Sequence, residues 1–368
     1  MRYRRFLVPI PLRAASLPLA LALLLGLVVF GGQHPAAADP SQHDPVADFR
    51  HLPTRCRFIA FMPQWDFLDF LARQGARHTG FGLRMRTAAD GLIQEGGRTV
   101  GVRATDAEGP LEIRADLVVG ADGRHSRVRE ASGLAVRQLG APMDVLWFSL
   151  PRRPSDPGDT VGVFDAGRIF VQINRGDHWQ CGYVIAKGSL DELRGRGLPA
   201  FQQSVAALAP FAADRVGTLA SWDDVKLLTV AVDRLETWHQ AGVLCIGDAA
   251  HTMSPVGGVG INLAVQDAVA AANLLAAPLR EGRLTEADLA AVQHRREMPA
   301  RVTQRLQVLV QNRVITRVLG REGALKPPLA LKLLARFPRL RRLPARLIGI
   351  GVRPEHIGPA ILAAARPS

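Results

Sequence analysis

Two short stretches set acids beside glycines in the way a site for a polar ligand needs. The first is "VLCIGDAAHTMSPVGGVGINL", Val243–Leu263. An apolar, strand-like run ends at Gly247–Asp248, and Gly257, Gly258 and Gly260 lead into a long helix-forming segment. A carboxylate at the C-terminal end of a strand can accept hydrogen bonds from sugar-type hydroxyls. Glycines, lacking Cβ, let the backbone approach a flat ring closely. A helix starting near Gly260 would aim free N–H groups and its positive dipole end at the same place, favouring a ring that becomes anionic on reduction. A plain strand–turn–helix packing unit accounts for the same residues equally well. The second stretch is "DLVVGADGRHSRVRE", Asp116–Glu130. Asp122 and Gly123 end a nearly all-apolar strand of the kind buried in a parallel sheet, and Ser126 and Arg129 open a helix. An acid, a glycine, a hydroxyl and an arginine in this order can bracket a phosphate or pyrophosphate. The competing reading is a helix capped by Ser126.

The surrounding pattern supplies elements to position both stretches. Residues 57–62, "RFIAFM", read as a strand, and Trp65, Leu68 and Leu71 recur at helical spacing after it. "FGLRMRTAADGLIQEGGRTVGVRATDAEGPLEIRADLVVGADG" alternates apolar and polar residues, with turns at Gly96–Gly97 and Gly109–Pro110, which predicts an antiparallel meander leading into the buried strand. Between Met143 and Leu235, "VLWFSL", "RIFVQINR", "HWQCGYVIAK" and "VKLLTVAV" predict a second sheet, with one helix near Leu198–Leu208. From Glu286 onward the periodicity is helical.

Composition bounds the function. With 368 residues, 48% hydrophobic and 21% charged, the chain has material for two domains. The net charge of +13 is concentrated at the ends, +3 in residues 1–40 and +8 in residues 321–368, leaving +2 for the body. A nucleic-acid partner needs a basic face on the folded body, so none is expected. Cys56, Cys181 and Cys245 are odd in number and far apart, without metal-ligand spacing, so neither a metal nor a disulfide framework is expected. Residues 1–40 join a basic start, an apolar run over residues 17–30 and a small-residue stretch at Ala36–Ala38, the three parts of a secretory signal. The run is short for a membrane span and is the one segment expected to contact a membrane.

Taken together, the two stretches and the sheet between them resemble the FAD-dependent aromatic hydroxylases, the para-hydroxybenzoate hydroxylase-like flavoprotein monooxygenases. "DLVVGADGRHSRVR" looks like that family's second FAD/NADPH motif and "CIGDAAHTMSPVGGVGINLAVQDA" like its GD motif, the likeness running from about Val46 to Ile357. The resemblance implies an α/β fold: an incomplete Rossmann-like FAD-binding domain of glutathione reductase type, an inserted β-sheet substrate domain and a helical C-terminal tail. The implied divisions are a leader over 1–45, FAD-binding segments at 46–142 and 241–280, the substrate sheet at 143–240 and the helical region at 281–368. It further implies FAD as cofactor, NADH or NADPH as co-substrate, and O2 as the source of one oxygen inserted into a small aromatic substrate. By this resemblance Asp248 bonds the ribityl chain, Pro255 and Gly257 through Asn262 line the flavin ring, Asp122 lies by the pyrophosphate and the NAD(P)H approach, and Gln64 meets the flavin tail. The implied substrate pocket lies between the middle sheet and the flavin, with Trp147, Gln172, Trp179 and Tyr183 as candidate lining and ordinary sheet packing as the competing reading. His251 is expected to be structural. Cytoplasmic location follows from the resemblance, and export or membrane anchoring from residues 1–40 if they act as a signal.

One departure stands out. The family opens with a strand–G-x-G-x-x-G–helix unit. Gly195–Ala200, "GRGLPA", fits G-x-G-x-x-A formally but follows "KGSLDELR", which is no strand, and "GIGVRP" puts proline where the third glycine belongs. The expectation is a truncated or misread member with residues 1–45 as an unrelated leader, and with weakened FAD binding because the helix that neutralises the diphosphate is lacking. The alternatives are a non-catalytic fragment retaining the substrate domain, and another flavin oxidoreductase of the same fold. A halogenase is disfavoured by the lack of a Trp-x-Trp-x-Ile signature.

Overall fold

A computed structural model describes residues 47–60, 62–158, 160–165, 167–320 and 329–364. The leader read over residues 1–45, with its apolar run 17–30, lies outside them. Residues 57–60 form no strand. Phe58 is exposed, and an isolated extended segment without a neighbour leaves its backbone groups to water. Helix α1 (Gln64–Gly75) follows, with Trp65, Leu68, Phe70 and Leu71 all exposed and no residue buried.

The predicted meander forms as β1 (Ala88–Glu95), β2 (Arg98–Asp106) and β3 (Gly109–Arg114), paired antiparallel in that order. Gly96 and Gly97, at φ 53° and 76°, make the first turn, a backbone region that glycine enters without Cβ strain. The meander starts at Ala88; residues 81–87 precede it as irregular chain. The expected strand is β4 (Val118–Gly120), with Val118 and Gly120 buried but Val119 exposed, followed by helix α2 (Arg127–Ser132) and β5 (Val136–Gln138).

The second sheet comprises β6 (Met143–Pro151), β7 (Val161–Asp165), β8 (Arg168–Asn174) and β9 (His178–Ala186). After two helices, α3 (Leu190–Gly195) and α4 (Leu198–Leu208), it gains β10 (Lys226–Leu228), giving the order β10-β6-β9-β8-β7. Expected strand character at "TVAV" stops at Leu228, because the Val230 N–H bonds Asp144 Oδ1 at 2.9 Å in place of a ladder partner. Alternation along these strands builds two cores. Leu146, Phe148, Phe170, Cys181 and Tyr183 pack against Phe201 and Val205 of α4. Met143, Val145, Ile169 and Val184 face the other way.

The chain then returns through β11 (Asp233–Leu235), which pairs with β5, β12 (His239–Gln240) and β13 (Val243–Cys245) to helix α5 (Gly260–Arg280) and helix α6 (Glu286–Val310). A capping box starts α6: the Thr285 hydroxyl accepts from the Asp288 N–H, and the Asp288 carboxylate accepts from the Thr285 N–H. A π-helical turn, Gln311–Ile315, continues α6 and brings Val310, Val314 and Ile315 onto the second core of the middle sheet. By length and composition α5 could cross a bilayer, but its buried face carries Leu263, Ala270, Leu275 and an ion-paired acid, Asp267, as a core helix does.

Candidate functional site

Parallel pairing of β4 with β13 is what brings the two chemical stretches together. Val118 pairs with Val243, Val119 with Leu244 and Gly120 with Cys245, and the Ile246 N–H donates to the Gly120 carbonyl at 2.9 Å. Both acid-bearing turns therefore leave the same end of the same small sheet, the C-terminal end where open α/β sheets place ligands. Glycine is required at Gly120 by this approach, since a Cβ there would meet Val128 at 2.8 Å and the Cys245 sulfur at 3.1 Å.

Asp248 is the half-buried acid of the site. Burial pushes its carboxyl above the ordinary value, a rise moderated by the positive charge of Arg124 and by His251. Among the described residues no hydrogen bond or salt bridge reaches its carboxylate; its backbone carbonyl accepts from the Thr252 hydroxyl at 3.3 Å. Arg124, which the sequence reading passed over, is the residue of the other turn whose charge acts on Asp248. The signal was there in "ADGR", where the basic residue directly follows the turn glycine.

The turn of Asp248 is fixed by a buried network. Asp267 on α5 accepts from the Gly247 N–H at 3.1 Å, from Arg296 Nε on α6 at 2.9 Å, and pairs with His251 Nε2 at 2.6 Å. Arg296 also donates to the Arg353 carbonyl and to Glu355, tying the tail to the same knot. Burial alone would raise the Asp267 carboxyl, but His251 and Arg296 hold it below the usual carboxylate range. His251 is thus engaged in scaffolding, as expected; its ring also packs on Trp238 at 4.9 Å.

Gly257 and Gly258, at φ 84° and 61°, turn the chain into α5, whose first turn carries Gly260, Ile261 and Asn262. Val259 at the N-cap offers no side-chain acceptor, so the N–H groups of the first turn of this 21-residue helix, ahead of the Leu263 N–H, are left for another partner. Pro255 is half-buried and Asn262 exposed beside them. A carboxylate without a protein partner, an uncapped helix start and an open glycine turn fit the ribityl and ring end of a flavin.

The other end is built differently from the expectation. The Asp122 carboxylate accepts from the Ser126 hydroxyl, from the Arg127 N–H at 2.7 Å and from the Val128 N–H at 3.2 Å. Ser126 Oγ accepts from the Arg129 N–H at 2.9 Å. Arg129 itself pairs with Asp233 at 3.1 Å and donates to the Arg124 carbonyl. Asp122, Ser126 and Arg129 thus build the start of α2, with Ser126 as its cap and Arg129 tied to β11. Gln64 stands exposed at the start of α1, and no hydrogen bond joins it to either turn.

Three of the four pocket candidates from the middle sheet lie on its α4-side face. Tyr183 donates to or accepts from Ser204 of α4 at 2.9 Å and lies in the α4-side core. Trp179 belongs to the same core, its indole N–H donating to Asp156 at 3.0 Å. Gln172 is buried two residues along β8 from Phe170, hence on the same face. Trp147 alone points to the opposite face, packed against the core of Met143, Val145 and Val184 that the π turn also joins, its ring lying over Gly182.

Comparison with known proteins agrees with this geometry. Residues 26–306 match the FAD binding domain family, and the chain belongs to it; the match begins inside the segment read as a leader. Within that family the chain is an enzyme of the FAD-dependent monooxygenase class by its kinship. It is 36% identical over 304 residues to 6-methylpretetramide 4-monooxygenase of Streptomyces rimosus, covering 82% of this chain and 72% of that protein. It is 27% identical over 294 residues to an FAD-dependent monooxygenase of Hypoxylon pulicicidum, covering 73% of this chain but only 61% of the relative. In fold it is similar to the anhydrotetracycline hydroxylase OxyS of Streptomyces rimosus, with a TM-score of 0.61, 22% identity, and coverage of 93% of this chain and 68% of that one.

Proposed function

We propose that the chain uses FAD, NADH or NADPH, and O2 to hydroxylate an aromatic or similarly electron-rich small organic molecule. The observation that carries this reading is Asp248: a half-buried carboxylate that accepts no hydrogen bond from the described residues, beside a helix start without a side-chain cap, at the C-terminal end of a parallel strand pair. Bound FAD would supply the redox chemistry, taking reducing equivalents from the nicotinamide and using O2 to deliver one oxygen atom. Asp248 would accept hydrogen bonds from ribityl hydroxyls. The free N–H groups and positive end of α5, with Gly257 through Asn262, would stabilise negative charge on the ring edge. Pro255 would close one side, and Trp147 would border the substrate from the middle sheet. The names of the relatives, a monooxygenase and a hydroxylase, support the reaction class, and kinship with them supports a cytoplasmic location.

FAD is held mainly through its flavin end in this reading. The polar groups expected at the diphosphate are committed to the start of α2. The second reading, a non-catalytic chain that keeps the substrate sheet, is favoured by the exposed apolar side chains of α1. Titrating the full chain with FAD and recording flavin absorbance, followed by NADH or NADPH consumption under air, separates the two. Saturable binding with oxygen-dependent turnover supports the enzyme. A chain that takes up no flavin at any FAD concentration overturns it.

A further inference from the structure

Residues 251–254, between the Asp248 turn and the start of α5, are buried and residues 255 and 256 half-buried, yet none of them lies in a helix or strand. Buried backbone groups must find partners, and here the partners are side chains. Gln304, Gln307 and Gln311 are all 0% exposed and spaced three and four residues apart on one helical face. Gln304 Nε2 donates to the carbonyls of Thr252 (3.0 Å) and Asp233 (2.7 Å), while its Oε1 accepts from Arg234 at 2.8 Å. Gln307 Oε1 accepts from the Ser254 N–H at 3.1 Å, and its Nε2 donates to the carbonyls of Ser254 (3.0 Å) and Val256 (2.9 Å). Gln311 Nε2 donates at 2.6 Å to the Ser254 hydroxyl, which in turn accepts from the Val256 N–H at 3.2 Å.

Gln307 reads both the N–H and the C=O of Ser254, as a neighbouring strand would. An apolar residue of the same size would fill the volume but leave one donor and two acceptors of a buried loop unpaired. Three fully buried amides on one helix face, each with partners in or beside one loop, is an arrangement that packing alone does not require.

We propose that Gln304, Gln307 and Gln311 are positioning residues that clamp the loop Thr252–Val256 to α6. The clamp sets where Pro255, the Gly257–Gly258 turn and the free N–H groups of α5 stand. Its link to flavin rests on the function proposed above; its link to the loop does not. The far end of the clamp is anchored independently, because Val310, Val314 and Ile315 lie in the core shared with Met143, Val145 and Val184.

The test compares full-length Gln307→Met, which keeps the volume, with Gln311→Leu, which removes a single donor, and with Arg301→Ala on the outer face of α6 as control. Hydrogen exchange of peptides covering residues 252–260 is measured beside peptides from β6 and β9, and FAD affinity is read by flavin fluorescence. Gln307→Met is expected to speed loop exchange about 10- to 100-fold, leave β6 and β9 at the wild-type rate, and weaken FAD binding about tenfold. Gln311→Leu should act in the same direction, less strongly, and serves if Gln307→Met does not fold. Wild-type loop exchange in both variants, as mere space-filling by the amides requires, overturns the clamp. A loosened loop with unchanged FAD affinity in a chain that binds FAD overturns the positioning role. A wild-type chain that takes up no FAD defeats the proposed function, and the exchange measurement then decides the clamp by itself.

Discussion

Replacing Asp248 with Asn separates what the fold wants from what the site wants. At neutral pH the wild-type carboxylate is half-buried, offset by Arg124 but hydrogen-bonded to nothing in the described chain. Asn has nearly the same volume and no charge to desolvate. Burying an unsatisfied polar or charged group costs about 1–3 kcal/mol, and partial exposure and Arg124 put Asp248 at the low end, roughly 1 kcal/mol. FAD-free Asp248→Asn should therefore unfold about 2 °C above wild type at pH 7. The pH dependence has a definite sign. A carboxyl raised in the folded state stabilises the fold fully below its unfolded value of about 4 and loses that contribution as pH climbs through the folded value. The advantage of the variant should thus shrink as the pH is lowered towards about 4. FAD affinity should move the opposite way, falling about 10- to 100-fold through loss of charge-assisted bonds to ribityl hydroxyls. Calorimetry across pH, with and without FAD, reads all of these. A variant less stable than wild type at pH 7 without FAD, or an advantage that grows in acid, would refute the picture of a carboxylate kept without a protein partner.

Further outcomes follow from the rest of the structure. Asp267→Asn leaves the fully buried Arg296 without its closest counter-charge and should cost about 3–5 kcal/mol, seen as an earlier urea midpoint. Asp267 and Asp144 are held low by His251 and Arg296 and by Lys187, against the opposing effect of burial. The stability they add is present above about pH 4 and lost as pH falls through their lowered values, so replacing Asp144 with Asn should flatten the acid limb of an unfolding profile. Burial pushes the thiols of Cys181 and Cys245 up to about 12, whereas Cys56 is exposed. A thiol reagent should consume one cysteine quickly in the native protein and all 3 in denaturant. Trp147→Ala should raise KM for the aromatic substrate, while Tyr183→Phe should leave KM unchanged and cost only about 1 kcal/mol of stability; the reverse pattern would restore Tyr183 to the pocket.

Much of the scaffold could be read from residue order. Two apolar runs ending in acid and glycine read as strands, the resemblance put both in one domain, and β4 and β13 pair in parallel. The helix at Leu198–Leu208 and the start of α5 at Gly260 also fall where the pattern puts them. What failed depends on information that periodicity lacks. Alternation along β8 and β9 groups Gln172 with Phe170, and Trp179 with Tyr183, but cannot say which face meets α4. The tie between Tyr183 and Ser204 reveals that. Asp122 and Arg129 have the right chemistry for a diphosphate, yet local partners in the first turn of α2 take them up. The sequence "RFIAFM" has strand-like composition, but a strand exists only through its neighbour. Gln304, Gln307 and Gln311 sit in a segment dense with charge, where glutamine normally signals a wet surface. Their complete burial follows from an irregular loop that must be satisfied from outside itself.

The π turn at Gln311–Ile315 has a consequence for how this chain can change length. Such a turn is what a regular helix becomes when it accommodates one surplus residue locally. The widening lets two surfaces be addressed by one rod: amides before it keep their phase on the loop, and valines after it keep theirs on the middle sheet. Deleting a single residue there would restore ordinary winding and leave Gln304, Gln307 and Val318 in phase, whereas winding the same residues as regular α-helix would swing Val318 by about 100° around the axis, off the sheet. A one-residue insertion within α6 that no such turn absorbs would rotate everything beyond it by that same angle, so the π turn is the point along this rod where a single residue can be lost without moving either surface.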